Sequence, residues 1–392
     1  MKIIALLALV LSILLGACAS PPPLSKARAQ TLFDDALFSA PSDSIKADEV
    51  FSLSAAMRQF ITVDIANQLR SKGPQQALFD ALYSEGKLRI EYDASETKNA
   101  AQAFAARTGN CMSLVLMTAA FANEIGLEVQ FQNVRLKPSW SRNGTLLFNA
   151  GHVNVILLEK HTPKSFFSGV RRQMTVDFLP PEDMRHLATE IISENTTIAM
   201  YMNNRAAESL AQNQLDNAYW WARSAIVQDP LLVHSYNTLG AIYRAHGDLQ
   251  LAQNTFKFAL EQDPKDSSVM LNLSYTLRAL GRIEEAEILA KRAEKERPYQ
   301  AYHLFALGQQ AMKEENFLAA KEFFNKEVRN APENPEFHFW LATALIQLRD
   351  LSSAEQAMTQ AIKYSISPND TKMYRLKLDE IKAAKQKRRN AD

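Results

Sequence analysis

Four prolines stand at equal intervals in the second half of this chain: Pro230, Pro264, Pro298 and Pro332. A fixed period of 34 residues restricts the fold more than any other feature, because one repeated unit must satisfy the same packing demands each time. Aligned on the prolines, small residues recur at Ala218, Ala252, Ala286, Ala320 and Ala354. A second series follows at Ala225, Ala259, Ala293 and Ala361, with Glu327 as the exception. Large–small pairs recur at Leu239-Gly240, Leu273-Ser274, Leu307-Gly308 and Leu341-Ala342. Small side chains on this spacing let two helix axes approach closely, and each proline stops the second helix of its unit. The pattern predicts four and a half to five helical hairpins over residues 200–366. The unit at 201–230, with Arg205-Ala206 in place of the large–small pair, is the least regular. A last helix from about Asp370 to Lys387 would cap the stack and end in a solvated basic tail, Lys385 to Arg389. Such units cannot bury their apolar faces alone and stack into a solenoid with a concave side.

The period and its small positions resemble the tetratricopeptide repeat. The resemblance implies that the first helix of each unit lines the concave surface. Those positions carry His234, Asn237, Arg244, Tyr275, Arg278, Tyr302, Phe305, Gln309, Met312 and Phe339. The implied ligand is a protein or peptide segment, bound through Asn237, Arg244, Tyr275, Arg278, Tyr302, Phe305 and Gln309. The Lys/Asn set that clamps a terminal carboxylate in some relatives is missing.

The other end of the chain bears on compartment. Lys2 precedes an apolar run, Ile3 to Leu15, too short for a spanning helix. The run closes in Leu15-Gly16-Ala17-Cys18, which resembles a bacterial lipobox. That implies a signal peptide over 1–17, lipidation of Cys18, a tether over 18–45 with Pro21-Pro22-Pro23 as extended spacer, and an outer-membrane lipoprotein facing the periplasm. Removing residues 1–17 leaves 375 of the 392, enough for two or three domains. A net charge of +1 offers no basic field for nucleic acid. With Cys18 lipidated, Cys111 is the remaining thiol of the two cysteines, without a partner for an internal disulfide. No Cys/His spacing suggests a metal site, and no cofactor is implied.

Residues 46–195 read differently. Asp48 to Asn67 and Pro74 to Tyr83 have helical periodicity, and Lys87 to Tyr92 is a short extended piece. Asn110 is a good N-cap residue and Gly126 a natural stop for an apolar helix opening at Cys111. At that position the free backbone N–H groups and the helix dipole favour the nucleophilic thiolate form. A period of two then predicts antiparallel strands at Leu127–Val134, Thr145–Asn149, His152–Leu158 and Met174–Leu179, with Lys137 to Asn149 taken as a selectivity loop. Cys on a helix start, His on a strand and Asp177 on the next strand is an order from which a nucleophile, base and orienting group can be assembled. Asp93 and Asp183 are sequence neighbours that could take the third place. A lone cysteine on an apolar helix is also common core filler.

Gly109-Asn110-Cys111, Gly151-His152-Val153-Asn154-Val155 and Val176-Asp177-Phe178 resemble the three motifs of the bacterial transglutaminase-like, papain-like cysteine peptidase superfamily. Tyr92-Asp93-Ala94 and Asn99-Ala100-Ala101 resemble its lead-in to the cysteine helix, so the resemblance spans about residues 85–180. It implies Cys111 as nucleophile, His152 as base and Asp177 as its orienting partner. The implied chemistry is acyl transfer at an amide, with hydrolysis preferred to amine transfer. The tryptophan usual after the histidine motif in many relatives is absent. The Cys111 backbone N–H is a candidate oxyanion donor, beside Tyr92 or Gln102. The fold expected is an α+β papain-like domain over 46–195, an all-α tetratricopeptide-repeat solenoid over 196–366, and a capping helix with basic tail over 367–392. The competing expectation is a catalytically inactive periplasmic adaptor that uses the repeats for protein–protein interaction.

Overall fold

The computed structural model describes residues 26–83, 88, 90–93, 96–143, 146–159, 172–178, 188–296, 303–365 and 368–389. The expected signal peptide, Cys18, Tyr302 and Asp183 lie outside the described residues. No helix among the described residues is long and apolar enough to cross a membrane.

The chain is mostly helical, with one small sheet region ahead of a solenoid of helical hairpins. A short helix α1 (Lys26–Gln30) opens the described part. The single helix expected over Asp48 to Asn67 is instead broken. A 3-10 turn (Ala47–Glu49) is followed by α2 (Ala55–Gln59), a π-helical turn (Phe60–Asp64) and α3 (Ala66–Lys72). The serines set the break. Ser52 Oγ donates to the Asp48 carbonyl at 2.7 Å, and Ser54 Oγ caps the start of α2 by accepting from Met57 N at 3.2 Å. α4 (Pro74–Tyr83) follows, then β1 (Glu91–Tyr92), α5 (Ala100–Ala106) and β2 (Thr108–Gly109), with β1 and β2 paired in parallel.

α6 (Cys111–Glu124) is the centre of this unit, buried from Met112 through Ala122. A helix apolar all round must be covered all round. One cover is a four-stranded antiparallel sheet in the order β5-β4-β3-β6, formed by β3 (Glu128–Asn143), β4 (Leu146–Leu158), β5 (Gln173–Val176) and β6 (Ala188–Ile192). The other is provided by α4 and α5. Where it is described, the expected loop Lys137 to Asn149 is instead strand: Lys137–Asn143 lies in β3 and Leu146–Asn149 in β4, paired antiparallel with a register shift between Val134 and Ser139.

Ten helices follow as five hairpins: α7 (Glu194–Ala211) with α8 (Leu215–Gln228), α9 (Val233–His246) with α10 (Leu249–Gln262), α11 (Ser267–Ala279) with α12 (Ile283–Glu296), α13 (His303–Lys313) with α14 (Phe317–Asn330), and α15 (Pro335–Gln347) with α16 (Leu351–Tyr364). α17 (Pro368–Arg389) caps the stack. It runs through the basic tail, and Lys385 Nζ pairs with Glu355 at 2.8 Å rather than standing free in solvent.

Every member of both alanine series is buried. Side-chain volumes trade across each hairpin. A Cβ on Gly240 would lie 2.6 Å from the Phe256 ring, and one on Gly308 would lie 2.5 Å from the Phe324 ring. Where the first helix carries Ser274 or Ala342, the second carries Ala290 or Met358 in place of phenylalanine. The exception Glu327 is fully buried, and its carboxylate accepts from Phe305 N at 2.8 Å, satisfying one of the free donors at the start of α13. The turn inside each hairpin also repeats: Asn213, Gly247, Gly281, Glu315 and Arg349 all adopt positive φ.

Residues 28–43, within the segment expected as a tether, lie across the first two hairpins. Phe38 stacks on Tyr219 with ring centroids 4.0 Å apart. Tyr219 Oη donates to Asp35 at 2.6 Å, Trp221 Nε1 to Asp43 at 2.8 Å, and Tyr243 Oη to the Leu32 carbonyl at 2.7 Å. One hydrophobic cluster therefore runs from Ala29 through the sheet unit to Ala286, and a second from Phe305 to Ile381.

Candidate functional site

The site grows from two local structures that meet. At the start of α6, Asn110 caps the helix by accepting from Ser113 N at 2.9 Å, while its amide donates to Thr97 Oγ1 at 2.8 Å. Ser113 Oγ donates to Asn110 Oδ1 and accepts from Lys98 N, both at 2.8 Å. Gly109 is demanded by closeness, not by φ, because a Cβ there would sit 2.6 Å from Ser113 Cβ. Cys111 is thereby fixed at the first turn of a buried helix. The parallel pairing of Tyr92 with Gly109 brings the Tyr92 side chain alongside, where its hydroxyl hydrogen-bonds to both the backbone and the thiol of Cys111. Burial, and then the charge of Cys111, push the Tyr92 hydroxyl pKa well above its ordinary range.

The second local structure is the β4–β5 pair. Val155 pairs with Val176 and Ile156 with Thr175. Carrying that register on by one residue sets Asp177 across from Asn154, two residues from His152 on the same face. His152 Nε2 lies 2.8 Å from Asp177 Oδ1, and Asn154 Nδ2 donates to Asp177 Oδ2 at 2.8 Å. His152 and Asn154 are both buried. The other ring nitrogen of His152 is left for Cys111, with which the imidazole hydrogen-bonds. Burial on its own would lower the His152 pKa. The hydrogen bonds to Asp177 and Cys111 and the charges of both outweigh it and raise the value to about 9. The histidine thus carries a proton at neutral pH, held between Asp177 and Cys111.

Cys111, His152 and Asp177 are brought together in this way. Of the alternatives for the third place, Asp93 follows β1 directly, with its backbone N–H donating to the Gly109 carbonyl at 3.0 Å. Of the two side chains considered as oxyanion donors, Tyr92 is at Cys111. Gln102 is engaged in the cap of α5, accepting from Asn99 N at 3.0 Å. It lines a cavity of about 220 Å³ with Asn99, Arg205 and Trp221, which Cys111 does not line. Two residues were given no role from the sequence. Asn154 could have been found, since it lies two positions from His152 on the same strand face. Tyr83 left no signal: its hydroxyl donates to the Asp177 backbone carbonyl, and its ring stacks on Phe178 at 5.9 Å. Burial and the Asp177 carboxylate push its pKa up to about 12.

On the solenoid, Asn237 accepts from Asn272 Nδ2 at 2.9 Å, and Arg244 lies over the Tyr275 ring at 5.9 Å. Tyr275 and Arg278 are exposed, and Gln309 is partly buried. Phe305 is not a surface group. It is fully buried among Phe324, Phe337 and Trp340, because the fourth hairpin uses it as core volume.

No curated protein matches this chain. Among solved structures, it is similar to pilF of Pseudomonas aeruginosa, 18% identical over 50% of this chain and 88% of that one, TM-score 0.31. Yeast Tom70 is 23% identical over 44% of this chain and 35% of that one, TM-score 0.32. The thermophilic repeat protein TTC0263 of Thermus thermophilus is 16% identical over 47% of this chain and 98% of that one, TM-score 0.32. The tetratricopeptide-repeat family matches at two places, and the chain therefore carries tetratricopeptide repeats over residues 237–301 and 305–371.

Proposed function

We propose that this chain is a lipid-anchored envelope protein whose repeats bind a protein or peptide while its papain-like sheet unit performs thiol acyl transfer on an amide. Tetratricopeptide repeats are protein-interaction scaffolds, which supports the first part. The observation that carries the second is the arrangement of His152, bonded to Asp177 at 2.8 Å and to Cys111 at a helix start. In this reading the Cys111 thiolate attacks the amide carbonyl carbon. The developing oxyanion is met by the Cys111 backbone N–H, with Tyr92 beside it. His152 gives its proton to the departing amine, leaving a thioester on Cys111. Water then attacks the thioester, His152 takes the water's proton, and a carboxylic acid leaves as the Cys111 thiolate is restored beside the protonated His152. Asp177, held by Asn154, keeps the imidazole in the orientation both transfers need. Amine transfer replaces water by an amine in the last step.

The second reading, a protein-binding adaptor without catalysis, is favoured by the comparisons, which match the repeats alone. Comparing envelope peptides from wild-type and Cys111→Ala cells separates the two. New amide-cleavage or amide-exchange products confined to wild type support catalysis, and identical peptide populations leave the adaptor. The anchor, carried by Leu15-Gly16-Ala17-Cys18, is tested by Cys18→Ser. That variant should be exported in soluble form, and its retention in the membrane pellet after a high-salt wash would overturn the anchoring.

A further inference from the structure

Partly buried arginines in the repeats meet acids, with one exception. Arg205 reaches Glu208 at 3.3 Å and Arg223 reaches Asp35 at 2.8 Å. Arg244 is also partly buried, yet among the described residues no acid pairs with it, and the neighbour it has is the Tyr275 ring at 5.9 Å. Burial pulls its pKa down, against a smaller opposing effect of Tyr275. A cation drawn from water without a counter-charge costs stability. That cost is recovered when a carboxylate docks, through the paired N–H donors of the guanidinium. The surroundings suit an extended chain. Asn272 Nδ2 donates to Asn237 Oδ1 at 2.9 Å, and among the described residues no acceptor takes the Asn237 amide N–H groups, which suit a peptide backbone. Tyr275 is 48% exposed beside them. Arg278, at the same place in the next hairpin, is exposed and offers a second positive charge.

Resting on the peptide-binding reading of the repeats, we infer that Arg244, with Tyr275 and Arg278, receives an internal Asp or Glu side chain of an extended acidic peptide. An internal side chain fits better than a chain terminus. Hairpins continue on both sides of Arg244, with α7 before it and α13 and α15 after, so a bound strand need not end there.

The test selects a phage-displayed library of random twelve-residue peptides on the immobilised full chain, in parallel on wild type, Arg244→Met and Arg244→Lys. Wild type should enrich peptides with Asp or Glu at one register position by about tenfold or more, equivalent to about 1.4 kcal/mol. Arg244→Met should still enrich peptides but lose the acidic preference, and Arg244→Lys should keep part of it. Arg244→Met should also melt no lower than wild type, since it removes an unpaired charge while keeping the stem's packing. Enrichment without an acidic preference, or a preference that survives Arg244→Met, overturns this inference and leaves peptide binding intact. A lower melting temperature for Arg244→Met with unchanged selection makes Arg244 a structural partner of Tyr275 and also overturns it. Failure to enrich any peptide overturns the peptide-binding reading itself.

Discussion

The solenoid and the sheet unit solve the same packing problem in opposite ways. In the solenoid one solution is used five times. An alanine is buried at each crossing, a positive-φ residue closes each hairpin, and a glycine makes room for a phenylalanine ring in the second and fourth. In the sheet unit every device occurs once: Gly109 under Ser113, Asn110 over α6, Asn154 and Tyr83 around Asp177. Redundant packing tolerates the loss of one contact, because neighbouring repeats share the load. A single constellation does not.

That difference is broken most severely at Cys111. Under the catalytic reading, Cys111→Ala should reduce turnover of the envelope substrate by at least about 10³-fold while leaving the melting temperature of both units nearly unchanged. Loss of fold together with activity would mean that the thiol is core filler. The next largest effect joins the two regions. Phe38 is buried against Tyr219, and Phe38→Ala should cost about 3–5 kcal/mol. Because one hydrophobic cluster includes the segment 28–43, the sheet unit and the first hairpins, limited proteolysis should show all three opening together. Opening of the first hairpin alone would separate the regions.

The same contrast decides what was legible in the sequence. Prolines and alanines on a period of 34 residues declare the hairpins because chance does not repeat itself that often. Glu327 was visible as an exception but not as a cap, since its partner is a backbone N–H 22 positions away. That Cys111, His152 and Asp177 would converge was readable from residue types placed on a helix start and two expected strands. The docking of residues 28–43 was not, because Asp35, Phe38 and Asp43 follow no period and acquire meaning only against Tyr219 and Trp221. The length of the β3–β4 pairing was hidden by Pro138, Gly144 and Gly151, which read locally as loop residues.

Two histidines give the regions opposite responses to pH. His152 has its folded pKa raised from 6.5 to about 9. Its stabilisation is therefore fully present below about pH 6.5 and is lost as pH rises toward 9. His338, in the last hairpin, has its pKa lowered, first by burial, against the opposing bond from its ring to the Pro332 carbonyl at 2.7 Å. Its contribution is present above pH 6.5 and is lost as pH falls below that value. Melting His152→Gln and His338→Gln beside wild type at pH 5, 7 and 9 should show the His152 deficit shrinking toward high pH and the His338 deficit shrinking toward low pH. Parallel curves for the two variants would remove the electrostatic account of His152.

The smallest effect compares one backbone conformation in the two regions. Arg349 holds φ of 58° at the turn of the last hairpin, and its side chain is exposed. Gly247 holds the equivalent place in the second hairpin, and nothing lies within 4 Å of where its Cβ would be. Left-handed backbone costs a side-chain-bearing residue about 1–2 kcal/mol, partly offset by the greater freedom glycine has when unfolded. Arg349→Gly should accordingly stabilise the repeats by about 0.5–1 kcal/mol, and Gly247→Ala should destabilise them by a similar amount, both read from chemical denaturation. Arg107 holds φ of 57° just ahead of Gly109, but its guanidinium lies over the Phe104 ring at 4.3 Å. There Arg107→Gly removes a contact worth about 0.5–1 kcal/mol and loosens the segment that places Cys111. The same substitution type should therefore raise stability in the solenoid and leave it unchanged or lower in the sheet unit. A gain at Arg107 equal to that at Arg349 would show that the approach to Cys111 is no more constrained than an ordinary hairpin turn.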